Sequence, residues 1–142
     1  MITVGWREWL SLPELGINEI KAKVDTGART SCLHAFRVEP FDHLSGELWV
    51  RFWIHPLQDD SDFVVCCEAK VLDQRVVTDS GGHKENRYVI ETILNIAGQS
   101  WPIEVTLSNR ETMKFRMLLG RTAMRGKILV DPEQSYLTQK TG

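Results

Sequence analysis

A chain of 142 residues, 42% hydrophobic and 25% charged, is long enough to bury a sizeable core and suits one globular domain spanning residues 1–142. A net charge of -2, a pI near 6.1 and the lack of any Lys/Arg run argue against direct nucleic-acid binding. No apolar stretch reaches the length of a membrane span or a signal-peptide core, so cytoplasm is the expected compartment, and three cysteines that cannot all pair within one chain fit a reducing one.

The first patterned segment covers residues 20–24, where apolar and charged residues alternate with period two as in a half-buried strand. It runs into Asp25-Thr26-Gly27, a turn in which Thr26 can hydrogen-bond backbone and Gly27 lets main chain approach where a Cβ would collide. Cys32-Leu33-His34 then puts two potential metal ligands on one strand face. Residues 48–54 and 63–67 read as strands, with Trp49 and Trp53 on a common face expected to join the core. Asp79-Ser80-Gly81, between Val76-Val77 and Tyr88-Val89-Ile90, reads as a hairpin tip. Residues 88–96, 101–107 and 115–119 are further strands, with a turn at 95–99 between the first two. Residues 122–125, stopped by Gly126, form the best site for a short helix. Many short strands and little helix predict an all-β fold of the barrel or sandwich kind.

Asp25 sets the chemistry. An aspartic peptidase holds two carboxylates about 3 Å apart that share one proton, because like charges at that distance cannot both ionise. One acts as general base on water and the other donates a hydrogen bond to the scissile carbonyl. A single Asp-Thr-Gly supplies half of this, so two chains must meet in a homodimer with Asp25 of each near the two-fold axis. Asp79-Ser80-Gly81 has the form of a second copy. It lacks the apolar lead-in, and only one Leu-Leu-Gly segment is present to support two loops.

The segments Gly5-Trp6-Arg7-Glu8-Trp9, Lys21 through Ser31, Leu107-Ser108-Asn109-Arg110, Leu118-Leu119-Gly120-Arg121 and Val130-Asp131-Pro132 together resemble the bacterial retropepsin-like aspartic peptidases often labelled ATP-dependent zinc proteases. The resemblance covers nearly the whole chain. It implies a closed β-barrel with one short C-terminal helix, working as a homodimer, in which Asp25, Thr26 and Gly27 form the catalytic loop and Leu118-Leu119-Gly120 packs beside it. It also implies a hairpin flap that closes over substrate, for which the 79–81 tip is the candidate. Members of this family accompany an ATP-grasp ligase that adds glutamates to a small-subunit ribosomal protein. The implied substrate is therefore an acidic peptide, the α-linked glutamate tail of that protein, and the implied partner is the ligase.

Charge distribution bears on that substrate. Residues 39–68 carry seven acids against Arg51, whereas residues 110–127 carry six bases against Glu111 and flank the Asp25 loop in the predicted fold. Ala28 and Arg29 follow the loop directly, Arg87 sits beside the expected flap, and Arg110 and Arg121 lie in the basic stretch. Arginine forks take carboxylates bidentately, which makes these the candidate substrate-binding residues. No cofactor is expected: the chain has no His-Glu-x-x-His, no pair of Cys-x-x-Cys motifs and no Gly-rich loop ending in Gly-Lys-Ser/Thr. The alternatives are a zinc-dependent peptidase using Cys32 and His34, and a retropepsin-fold adaptor for the ligase that cuts nothing.

Overall fold

The computed structural model describes residues 1–57, 60–78, 81–109 and 114–138. Eleven strands and one short α-helix follow in chain order among them, with a single 3-10 turn at Pro13–Leu15: β1 (Ile2–Val4), β2 (Arg7–Leu12), β3 (Ile17–Val24), β4 (Ser31–His34), β5 (Arg37–Asp42), β6 (Leu48–Ile54), β7 (Val65–Thr78), β8 (Lys84–Ile96), β9 (Gln99–Ser108), β10 (Met117–Leu119), α1 (Arg121–Met124) and β11 (Ile128–Val130). The all-β expectation is met, and the helix begins one residue before the expected site. No helix among the described residues is long and apolar enough to cross a membrane.

Strands β2 to β10 form one sheet of order β2-β3-β10-β4-β9-β8-β7-β6-β5. A bridge between Ser11 of β2 and Asn95 of β8 joins the two ends of its first six strands, so the pairings β2-β3-β10-β4-β9-β8 return to their start. Within that ring β10 runs parallel to β3 and antiparallel to β4, and β4 runs parallel to β9. Strands β5, β6 and the first part of β7 extend the sheet as a wing, while β1 and β11 pair in parallel by themselves.

Alternation explains which side chains enter the core. In β3, Ile17, Ile20, Ala22 and Val24 are buried, and in β6 Val50, Phe52 and Ile54 are. Each such aliphatic or aromatic side chain contributes roughly 1.5–3 kcal/mol when fully removed from water. The β8–β9 hairpin turns on Ala97-Gly98, both at positive φ (53° and 75°), within the turn anticipated at 95–99.

Trp49 and Trp53 correct the expectation that they are core residues. The outer face of β6 carries Trp49, Arg51 and Trp53, and the inner one is taken by Phe52 and its neighbours. The tryptophans are half-buried on the outer face, where Trp49 stacks on His43 at 4.1 Å and Arg37 lies 4.8 Å over Trp53. The acidic stretch is also less lopsided in space than in sequence. Arg37 pairs with Glu39, Arg51 with Glu68 and Lys70 with Glu47, whose carboxyl Lys70 holds below the usual carboxylate range. Cys32 and Cys67 are buried as expected, whereas Cys66, on the opposite face of β7 from Cys67, is exposed.

Candidate active site

β3 delivers Asp25 to the end of the ring. Its backbone N–H donates to the Leu119 carbonyl at 2.9 Å, which continues the β3–β10 pairing by one residue past Val24. The chain then turns tightly, with the Ala28 N–H on the Asp25 carbonyl at 3.2 Å. The Asp25 carboxylate closes the turn from above: Oδ1 accepts from the N–H groups of Gly27 (3.0 Å) and Ala28 (3.2 Å). Oδ2 accepts no hydrogen bond among the described residues, and Asp25 is half-buried while Thr26 and Gly27 are exposed.

The far wall of the loop is Leu118-Leu119-Gly120, inserted between the strands on either side of Asp25. A Cβ on Gly120 would stand 2.5 Å from the Thr30 carbonyl carbon and 2.8 Å from the Ser31 nitrogen, so only glycine permits this approach. Beyond it the N–H groups of Arg121 and Thr122 donate to the carbonyls of Ala28 (2.9 Å) and Arg29 (3.0 Å). The loop is thus tied along both its edges.

Two expected site residues, Thr26 and Arg121, adjoin the Asp25 turn. Thr26, expected to brace the turn, has no hydrogen bond from its hydroxyl among the described residues. The bracing hydroxyl is that of Ser31, fully buried, which accepts from the Gly120 N–H at 3.0 Å. Arg121 spends one guanidinium donor on the Gly27 carbonyl at 3.2 Å and so clamps the loop. Arg110 and the tip residues Asp79 and Ser80 lie outside the described residues.

Beside the loop is a cleft of about 570 Å³ lined by Gly27 to Thr30, Cys32, Leu118, Thr106 and the hairpin residues Arg75 to Thr78 and Arg87. Arg29 reaches it from the loop and is exposed. Arg87 is 9% exposed, with Nε on Glu85 at 2.5 Å and Nη1 3.5 Å from both Cys32 Sγ and Thr106 Oγ1. Glu85 is held in turn by the Ser108 hydroxyl at 2.8 Å. Arg75, which sequence reasoning passed over, is ion-paired to Asp73 (2.9 Å) and Glu104 (3.2 Å), and it holds the exposed Asp73 carboxyl below the usual range. Its signal in the sequence was a lone base two residues ahead of Val77 on a hairpin arm. The arms of the expected flap therefore line the cleft.

Cys32 and His34 are both buried on β4, yet among the described residues no three His, Cys, Asp or Glu side chains are grouped so as to hold a metal ion.

The model of the RimB-like family, described as retropepsin-like aspartic endopeptidase RimB, matches residues 3–141. A probable alpha-L-glutamate ligase of Shewanella pealeana is 46% identical over 139 residues, 98% of this chain and 30% of that protein. A protein of the same description from Parasynechococcus marenigrum is 53% identical over 135 residues, 95% of this chain and 29% of its own length. The chain thus spans about three-tenths of the length of these curated relatives. A solved structure of the Legionella pneumophila protein Lpg0085, of unknown function, shares the fold with a TM-score of 0.79 at 24% identity, over 97% of this chain and 98% of that one.

Proposed function

Because the chain belongs to the RimB-like family of retropepsin-like aspartic endopeptidases, we propose that it cuts acidic peptides, with α-linked glutamate tails on a ribosomal protein as its substrate. The observation that carries this reading is the Asp25 carboxylate, fixed through Oδ1 by two loop N–H groups on a turn locked between β3 and Gly120. Such a group costs little reorganisation when it acts.

Two copies of one domain, residues 1–142, pair so that their Asp25 side chains form the dyad. The six-strand ring serves as the closed barrel of each copy. The contact face is the one around exposed Thr26, where Arg121, Met124, Ile128 and Val130 line a shallow hollow of about 180 Å³ beside the β1–β11 pair. One carboxylate takes a proton from water as the water oxygen adds to the scissile carbonyl. The protonated partner hydrogen-bonds the carbonyl oxygen. Collapse of the tetrahedral species breaks the C–N bond and delivers a proton to the leaving amine. Arg29 and Arg87 meet substrate carboxylates, Ala28 forms the cleft wall, and the β7–β8 hairpin covers the site and excludes water.

The relatives described as glutamate ligases support the substrate: a hydrolase for glutamate linkages belongs beside an enzyme that makes them, and the ligase is the proposed partner. The free thiols of Cys32, Cys66 and Cys67 agree with a reducing, cytoplasmic setting.

The test is incubation of the protein with a peptide ending in several glutamates, products read by mass spectrometry. Cleavage between glutamates that disappears in Asp25→Asn is expected. Tight binding to the ligase with no cleavage by wild type would favour the adaptor, and activity abolished by a chelator and restored by zinc would favour a metallopeptidase.

A further inference from the structure

Arg75 and Arg87 stand directly opposite each other in the β7–β8 ladder, a cross-strand pairing of like charges that is unfavourable by itself. Both line the cleft beside the Asp25 loop. Nothing in sheet formation calls for the pairing, since the outer arm of a hairpin accepts almost any polar residue. Each arginine carries its own acid, Glu85 for Arg87 and Asp73 with Glu104 for Arg75, so the pair is tolerated at the cost of fixing three carboxylates around it.

The two differ in how much of their donor set is committed. Arg87 is nine-tenths buried and offers Nη1 only a thiol sulfur and a hydroxyl, each at 3.5 Å, the limit of a hydrogen bond. Sulfur is a weak acceptor, and the Thr106 oxygen, whose proton goes to the Ser31 carbonyl at 3.3 Å, accepts from Arg87 only at the long distance of 3.5 Å. The Nη edge of a buried guanidinium thus faces the cleft with poor acceptors, while its Nε edge is pinned by Glu85, which the Ser108 hydroxyl holds in turn. Arg75 is more exposed, and its ion pairs are of the surface kind that exchange readily for another carboxylate.

Resting on the peptidase reading above, we infer that Arg75 and Arg87 form a two-armed clamp for one substrate glutamate, with Arg87 as the floor and Arg75 as the rim. Glu85 and Ser108 are positioning residues that hold the floor in place. A glutamine of the same shape lacks the charge that both arms need, so the clamp selects glutamate over its isostere.

The experiment is a binding cycle on Asp25→Asn protein, which needs no turnover and stands apart from whether wild type cleaves. Fluorescence anisotropy gives Kd for a labelled three-glutamate peptide and its three-glutamine counterpart, before and after Arg75→Gln and Arg87→Lys. The Glu/Gln preference is expected to shrink about threefold for Arg75→Gln and about tenfold for Arg87→Lys. Arg75 is half-exposed, so its variant folds, and its arm of the cycle decides the matter even if the Arg87 variant does not fold. Equal weakening of both peptides by Arg75→Gln, or no preference for glutamate in the parent, overturns the clamp. Failure of wild type to cleave, with the preference and its loss intact, overturns the peptidase reading and leaves the clamp standing.

Discussion

Two carboxylates in the first 25 residues, Glu8 and Asp25, are treated in opposite ways. Glu8 is fully buried, and its two oxygens accept four hydrogen bonds: from the N–H groups of Gly5 (2.7 Å), Leu137 (2.8 Å) and Thr138 (3.0 Å), and from the Thr138 hydroxyl (2.9 Å). Asp25 is half-buried and accepts two, both on one oxygen. A saturated carboxylate has no lone pair left for a substrate or a water; it holds the 134–138 segment against β2, where Tyr136 stacks on Trp9 and Arg7 lies between Trp6 and Tyr136. A carboxylate satisfied on one oxygen is oriented but still available. The same functional group is a structural tie in one region and, in the other, an oriented and available group to which the proposed chemistry assigns a role, and the hydrogen-bond count separates them.

Exchanging the two roles by mutation is the sharpest way to break that comparison. Asp25→Asn should lower the cleavage rate by a factor of about 10² to 10⁴, the usual contribution of a general acid-base group, with the thermal unfolding midpoint close to wild type. Glu8→Ala should do the reverse. It strands buried N–H donors and is expected to cost about 3 kcal/mol in urea unfolding, with activity per folded molecule retained. If Asp25→Asn unfolds the protein, or Glu8→Ala abolishes activity in folded molecules, the division of labour is wrong.

The wall of the reactive loop gives a smaller, graded effect. Gly120→Ala drives a Cβ into the Thr30–Ser31 backbone and should cost roughly 2 kcal/mol while also slowing cleavage, because the neighbour is main chain and cannot rotate away. Ser31→Ala removes one buried hydrogen bond to the Gly120 N–H and should cost about 1 kcal/mol. Equal effects from the two would mean that close packing does not hold the loop.

The Asp25 loop is legible in the sequence to a greater degree than the Glu8 tie, for physical reasons. Asp25-Thr26-Gly27 and Leu118-Leu119-Gly120 are short, local and stereochemically demanding, so their residue types survive as a readable pattern. Glu8 left only a charge within the alternation Glu8, Leu10, Leu12, and three of its four hydrogen bonds come from residues about 130 positions away, beyond any local period. Ser31 was equally hidden, since its partner is 89 residues distant. β5 escapes because Pro40 interrupts its pattern, and the continuation of β7 past residue 67 escapes because Asp73-Gln74-Arg75 interrupts its apolar residues. The tryptophans of β6 look like core residues because two large aromatics outweigh Arg51 on their face, yet Val50, Phe52 and Ile54 fill the inner one.

The mildest prediction concerns the adjacent cysteines of β7. Burial, with Cys66 alongside as a lesser cause, pushes the Cys67 thiol up to about 12, so the folded protein keeps a proton that the unfolded chain releases near pH 9. The stability linked to this thiol is whole below pH 9 and is lost as pH rises toward 12. Cys67→Ala should flatten the alkaline fall in urea-measured stability, and a thiol reagent should label exposed Cys66 while sparing Cys67 until the chain unfolds. Rapid labelling of both in folded protein would contradict the burial.

The central claim is that two Asp25 carboxylates from two copies make one active site, and a subunit-mixing titration tests it most directly. Wild type and Asp25→Asn are unfolded together, refolded at fixed total concentration in varied ratio, and assayed on a glutamate-tailed peptide. If each site needs two intact aspartates, the rate falls with the square of the wild-type fraction. A rate that falls linearly with that fraction would mean that one chain works alone, and the dyad would be wrong.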